Sequence, residues 1–137
     1  MVDRKRGQAG IEYVILIGIL LVFLIPTIYY SLNEANNNVK LTQLESSVRR
    51  LVKAADSVHA IGPGAIEIIT VTLPSGIQKV NISGTEILLE VSMFGGVSDV
   101  HFPSKVQLVG NLPTKEGSYN IRVESQRSGK VNITQRQ

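Results

Sequence analysis

The sequence predicts an α+β chain: one long N-terminal α-helix, membrane-spanning and then amphipathic, followed by a small antiparallel β-sandwich-like head. Three observations lead there. Residues 13–30 form an apolar run without a charged side chain. Leu41, Leu44, Val48, Leu51, Ala55 and Val58 recur at steps of three and four, and beyond Gly62-Pro63-Gly64 apolar residues alternate with polar ones. The first pattern has the length of a bilayer crossing, the second is one stripe of a helix, and the third belongs to half-buried strands.

Eighteen helical residues at about 1.5 Å each span roughly 27 Å, close to the ~30 Å hydrocarbon thickness of a bilayer. Arg4-Lys5-Arg6 precedes the run and is opposed only by Asp3, which places the N-terminus in the cytoplasm and the remainder outside. An ordinary secretory signal has a shorter apolar core that ends at a small-x-small cleavage site. Tyr29-Tyr30-Ser31-Leu32-Asn33 offers none, so the helix is expected to stay on the mature chain. Glu12 stands at the head of the run, where an unpaired carboxylate is costly to bury. It calls for a cationic partner.

A basic cluster, the Gly7-Gln8 junction, and an acid at the fifth position after that junction heading an apolar helix resemble the class III signal peptide of type IV pilins. Gly7-Gln8 together with Glu12 is more particularly similar to archaeal pilins. The resemblance is carried by about the first thirty residues, and by architecture alone thereafter. It implies a prepilin peptidase cutting between Gly7 and Gln8 on the cytoplasmic side, which leaves 137 minus 7, or 130, residues. It also implies that Glu12 sets the axial register by pairing with the free N-terminus of a neighbouring subunit. The amine created on Gln8 has a reference pKa of about 7.7 to 8.0 and suits that role, unless Gln8 cyclises to pyroglutamate and loses the charge. The partners so implied are the peptidase, a pilus assembly platform, the membrane before assembly, and copies of the chain in a helical homopolymer. Surfaces or other cells are the expected targets of adhesion. A single-pass anchor with Glu12 as an ordinary interfacial residue is the plain alternative.

Size leaves room for one small head. The expected organisation is a signal peptide at 1–7, a long helix at 8–62 and a β-rich extracellular head at 63–137. Within the helix the transmembrane or filament-core part is 11–30 and the amphipathic part 31–61. Of the net charge of +3, residues 3–6 contribute +2, so the mature side chains carry +1 and no nucleic-acid partner is expected. The absence of cysteine excludes a disulfide framework and a thiolate metal site. A head of about seventy residues without a staple needs packing from elsewhere, and the stripe on residues 41–58 is its expected donor.

On the helix's other side Glu45, Arg49 and Lys53 follow at four-residue steps, with Glu before Arg as an i,i+4 pair prefers. Arg49, Arg50 and Lys53 read as a solvated helix face. Pro26 and Asn36-Asn37-Asn38 predict a kink or a melted turn. Gly62-Pro63-Gly64 ends the helix. Strands are then expected around Ile69, Val71 and Leu73, at 77–82, at 85–92 with Ile87, Leu89 and Val91 on one face, at 97–102, and at 105–112. Two more follow, at 118–124 with Tyr119, Ile121 and Val123 on one side, and at 130–134 with Val131 and Ile133 inward. Phe94-Gly95-Gly96-Val97 reads as a plain turn. Six or seven such strands suggest a sandwich or a strongly curved sheet.

No catalytic constellation, cofactor fingerprint or metal-ligand spacing is present: His59 and His101 are isolated, and Glu67, Glu86 and Glu90 are expected to face solvent. Asn81-Ile82-Ser83 and Asn132-Ile133-Thr134 have the form of N-glycosylation acceptors. The sequence therefore reads as a non-enzymatic structural subunit of an archaeal type IV pilus-like surface filament, serving adhesion. It would sit in the cytoplasmic membrane as a precursor and outside the cell once assembled. A minor pilin or pseudopilin of a filament or secretion system has the same features. The rival of another class is a single-pass anchored extracellular binding module that does not polymerise.

Overall fold

A computed structural model describes residues 3–93 and 95–136, with side chains from residue 7 onward. Phe94 of the expected turn and residues 1–2 of the expected signal peptide lie outside the described residues. One helix, α1 (Asp3–Ile61), is followed by seven strands, β1 (Ile66–Leu73), β2 (Ile77–Ser83), β3 (Glu86–Met93), β4 (Gly96–Pro103), β5 (Leu108–Gly110), β6 (Gly117–Ser125) and β7 (Val131–Gln135). The chain divides into two compact units, Met1–Asn36 and Asn37–Gln137. The described part of the first is helical throughout, and the second holds the rest of α1 and all seven strands.

No turn is melted at Pro26 or at Asn36-Asn37-Asn38, so of the expected kink or melted turn the second is absent. Pro26 removes a single donor, and each asparagine costs at most about 0.7 kcal/mol of helix propensity relative to alanine. A break would require a second nucleation, which is the expensive step of helix formation. Thr27 and Thr42 direct their hydroxyls inward, donating to the carbonyls of Phe23 at 2.8 Å and Asn38 at 2.9 Å. The helix stops at Ile61, where Gly62 takes a φ of +118° and its N–H donates to the Val58 carbonyl.

The strands form a four-stranded sheet in the order β1-β6-β7-β5 and a three-stranded sheet in the order β2-β3-β4. Every pairing is antiparallel except β5 with β7, which is parallel and departs from the all-antiparallel expectation. The expected strand at 105–112 contracts to three residues for a related reason. Its backbone bonds are shared between the two sheets: Ser104 and Leu108 donate to the carbonyls of Thr85 and Gly84, while the Gln107 carbonyl accepts from Val131. A segment divided in this way reaches β7 as a crossover rather than as a hairpin partner. At Gly110, with φ at +133°, a Cβ would overlap the Ile133 carbonyl oxygen, so only glycine permits the close approach of β5 to β7.

One contiguous core draws on the helix and on both sheets. Leu44, Val48, Leu51, Ala55 and Val58 are each fully buried, as their spacing predicts, and Ala54 and Ser47 widen the stripe. Val71 and Leu73, Ile121 and Val123, and Val131 and Ile133 supply one sheet; Ile87, Leu89, Val91 and Phe102 supply the other. Burying Leu44, Val48, Leu51 and Val58 contributes on the order of 6–12 kcal/mol at ~1.5–3 kcal/mol per side chain. That is comparable with the whole stability of a small domain, typically about 5–15 kcal/mol.

Two outcomes are expected. A fragment of residues 64–137 gives no cooperative thermal transition, whereas residues 37–137 melt in a single one; a cooperative monomeric fragment 64–137 would show that the helix is dispensable. Ser47 Oγ is buried and, among the described residues, has no hydrogen-bond partner. Ser47→Ala should therefore keep or raise stability, by up to about 1 kcal/mol in urea titration, where a loss would reveal a partner for that hydroxyl.

Candidate processing and assembly site

Gly7, Gln8 and Glu12 all lie on α1 and all are exposed. A Cβ placed on Gly7 meets nothing within 4 Å, and Gly7 lies outside the left-handed region of backbone space. A glycine inside a helix costs about 1 kcal/mol relative to alanine. The fold of this chain does not ask for it. Gln8 and Glu12 stand one helical turn apart, where i,i+4 neighbours share a face. Glu12 is the only charged residue between Gly7 and Asn33, and it forms no ion pair among the described residues.

The position of Glu12 depends on where the chain begins. With the helix starting at Asp3, the carboxylate stands in the third turn. Starting the chain at Gln8 would make it the fifth residue, early in the second turn, at the i,i+4 spacing from a new amine and closer to the positive end of the helix dipole. A cut there would thus create a cation and improve the environment of the acid together.

C-terminal to Glu12 the helix is apolar on every side. Ile11, Val14, Leu16, Leu20, Phe23 and Ile28 are all exposed, and none of residues 11–32 belongs to the core of the other unit. The helix is long and apolar enough to cross a membrane. A helix without a polar face is stable only when lipid or other protein surrounds it. Tyr13 marks one end of this span and Tyr29 with Tyr30 the other, the last two packed edge to face with ring centroids 6.1 Å apart. Tyrosines at both ends of an apolar span are typical of the two membrane–water interfaces. The sequence reading passed over this signal, although it was visible in the placement of the three residues.

The two glycosylation tripeptides have different surroundings. Asn81 is exposed on β2, an outer strand of its sheet, opposite Leu88. Asn132 is half-buried on β7, an inner strand, between Val109 of β5 and Glu124 of β6. His59 is exposed, and His101 Nδ1 lies 3.6 Å from Glu86 Oε2 on the surface. Glu90 is engaged by Lys79 at 3.8 Å. Glu67, expected to face solvent, is half-buried on the side of β1 that carries Val71 and Leu73. Among the described residues no group of three potential metal ligands occurs. A recess of about 440 Å³ lined by Gly110, Leu112, Pro113, Ile133 and Thr134 has no acid, base or cation in its wall.

No protein family, curated protein or solved structure matches the chain.

Proposed function

We propose that the chain is the precursor of an archaeal type IV pilin, a structural subunit that a prepilin peptidase cuts between Gly7 and Gln8 and that then polymerises into an adhesive surface filament. The observation that carries this reading is the lone, exposed Glu12 at the head of a helix that is apolar all round. A carboxylate in that place needs a cation, and the apolar surface needs a cover. A neighbouring subunit cut before Gln8 supplies both, its amine to Glu12 and its helix to residues 11–32. Leaving the lipid for such a bundle does not expose the span to water. Gly7, which the fold does not require, is explained as the small residue that the peptidase accepts. A minor pilin or pseudopilin would use the same groups. The tyrosines at the two ends of the span favour a second reading, in which the helix is a permanent anchor for an extracellular binding module.

Processing and assembly separate these readings. Mass spectrometry of sheared surface filaments should find the chain beginning at Gln8, with a free or cyclised N-terminus. Gly7→Val should block both cleavage and incorporation. Glu12→Ala should be cleaved normally yet enter filaments at least about tenfold less, the effect of about 1.4 kcal/mol or more of lost pairing. An uncleaved chain confined to membranes would establish the anchor instead, and wild-type filament yield from Glu12→Ala would remove the register role.

Exposure at the cell surface also bears on the two acceptor tripeptides. A transferase needs the asparagine side chain free of the sheet, so Asn81 is the expected glycan site and Asn132 is not. Peptide mapping of the native protein should place a glycan mass on Asn81, lost in Asn81→Gln and unchanged in Asn132→Gln. A glycan on Asn132 alone would show that modification precedes folding of β7.

A further inference from the structure

Two pairs of like charges stand as neighbours in the head. Arg49 and Lys53, one helical turn apart on α1, border a cleft of about 250 Å³ whose floor is Val52, Phe102 and Pro103. Like charges at this spacing repel. Glu45 and Asp56 stand one turn away on either side, but neither closes an ion pair with them among the described residues, and Asp56 instead accepts from Ser104 Oγ at 3.4 Å. Midway along β4, Asp99 lies directly across from Glu90, an arrangement that also destabilises a sheet. Lys79 reaches Glu90, while Asp99 is exposed and unpaired among the described residues. Two residues before it on the same face of the strand, Val97 is 55% exposed.

The two places are complementary: an apolar floor beneath two cations, and an apolar side chain beside a free acid. They cannot meet within one molecule. Val97 and Pro103 lie at opposite ends of β4, six residues or roughly 20 Å apart at about 3.3 Å per residue. From this geometry we infer that the β4 tip of one copy docks in the cleft of the next, with Val97 on the Val52, Phe102 and Pro103 floor and Asp99 between Arg49 and Lys53. The contact joins different surfaces of the two copies, so it leaves a free tip and a free cleft at each end and propagates as a ring or an open helix. It gives Asp99 a cationic partner and Arg49 and Lys53 an anionic one. It rests on the reading of the chain as a self-assembling subunit, and it names the head surface through which the assembly is held.

The chain has no cysteine of its own, so introduced pairs report unambiguously. The full-length chain carrying Val52→Cys and Val97→Cys, in detergent micelles and in sheared filaments, should give a ladder of disulfide-linked oligomers under mild oxidation. Either single variant should give no more than dimer. In this background Asp99→Arg, or Arg49→Asp with Lys53→Asp, should lower the ladder by about tenfold or more, since an interfacial like-charge contact costs several kcal/mol. Combining the two reversals should restore it. These side chains are exposed, and an unchanged far-UV spectrum will show that the head stays folded. A combined variant no better than its parents overturns the contact, as does a double-cysteine chain that remains monomeric on oxidation. Filaments that form without cross-links overturn the contact and leave the filament reading standing. A ladder from uncleaved chains in membranes upholds the contact and removes the filament.

Discussion

The head depends on a hydrophobic interface between its two small sheets and the stripe of α1 from Leu44 to Val58. Sheets of three and four strands leave limited core between them, and the chain has no cysteine with which to staple it. Five stripe residues at zero exposure supply the third wall. The link after β4 then ties the sheets to each other through its backbone, with Ser104 and Leu108 bonded to the β2–β3 turn and Gln107 to β7. The irregular segment is therefore the one in which the two sheets share hydrogen bonds, and its shortness as a strand follows from that division.

What the sequence makes legible here is periodicity. The three-and-four spacing of the stripe and the alternation in β3, β6 and β7 each follow from a repeat that can be counted, and burial follows the count. Leu41 and Tyr119 are the mild exceptions, half-buried where the rest of their sets are fully so, each at the start of its stripe or strand. Sheet order was not legible: pairing β1 with β6, or β5 with β7 in parallel, joins segments far apart in sequence, and local pattern contains no term for that. The absence of a melted turn at Asn36-Asn37-Asn38 has the opposite reason: local propensity contains no term for the cost of starting a helix anew.

At the candidate site the same division holds. Gly7, Gln8 and Glu12 are recognisable by their order and spacing, and the structure adds that no packing requires a glycine at position 7. The tripeptides at Asn81 and Asn132 are equivalent as sequence; their difference arises from an outer and an inner place in a sheet, which only long-range pairing decides. Arg49 with Lys53, and Asp99 with Val97, each read locally as ordinary surface. Only the placement of Phe102 and Pro103 beside the helix makes the first of them a cleft.

The remaining constraint concerns how one helix serves two environments. From Leu44 to Val58 its stripe of apolar residues is buried in the head's core, while among the described residues none of 11–32 belongs to that core. The core of the head therefore gains nothing from whatever covers residues 11–32 and loses nothing when that cover changes. Lipid and neighbouring helices are interchangeable for a surface that is apolar on all sides, because neither offers or demands a hydrogen bond. Glu12 is the exception, since the hydrocarbon interior cannot satisfy a carboxylate and an amine can. In the filament reading proposed above, a single acid at the head of the span would turn that exchange of surroundings into one with a preferred register. The head can remain folded throughout, because its stability is held on the other side of Asn36.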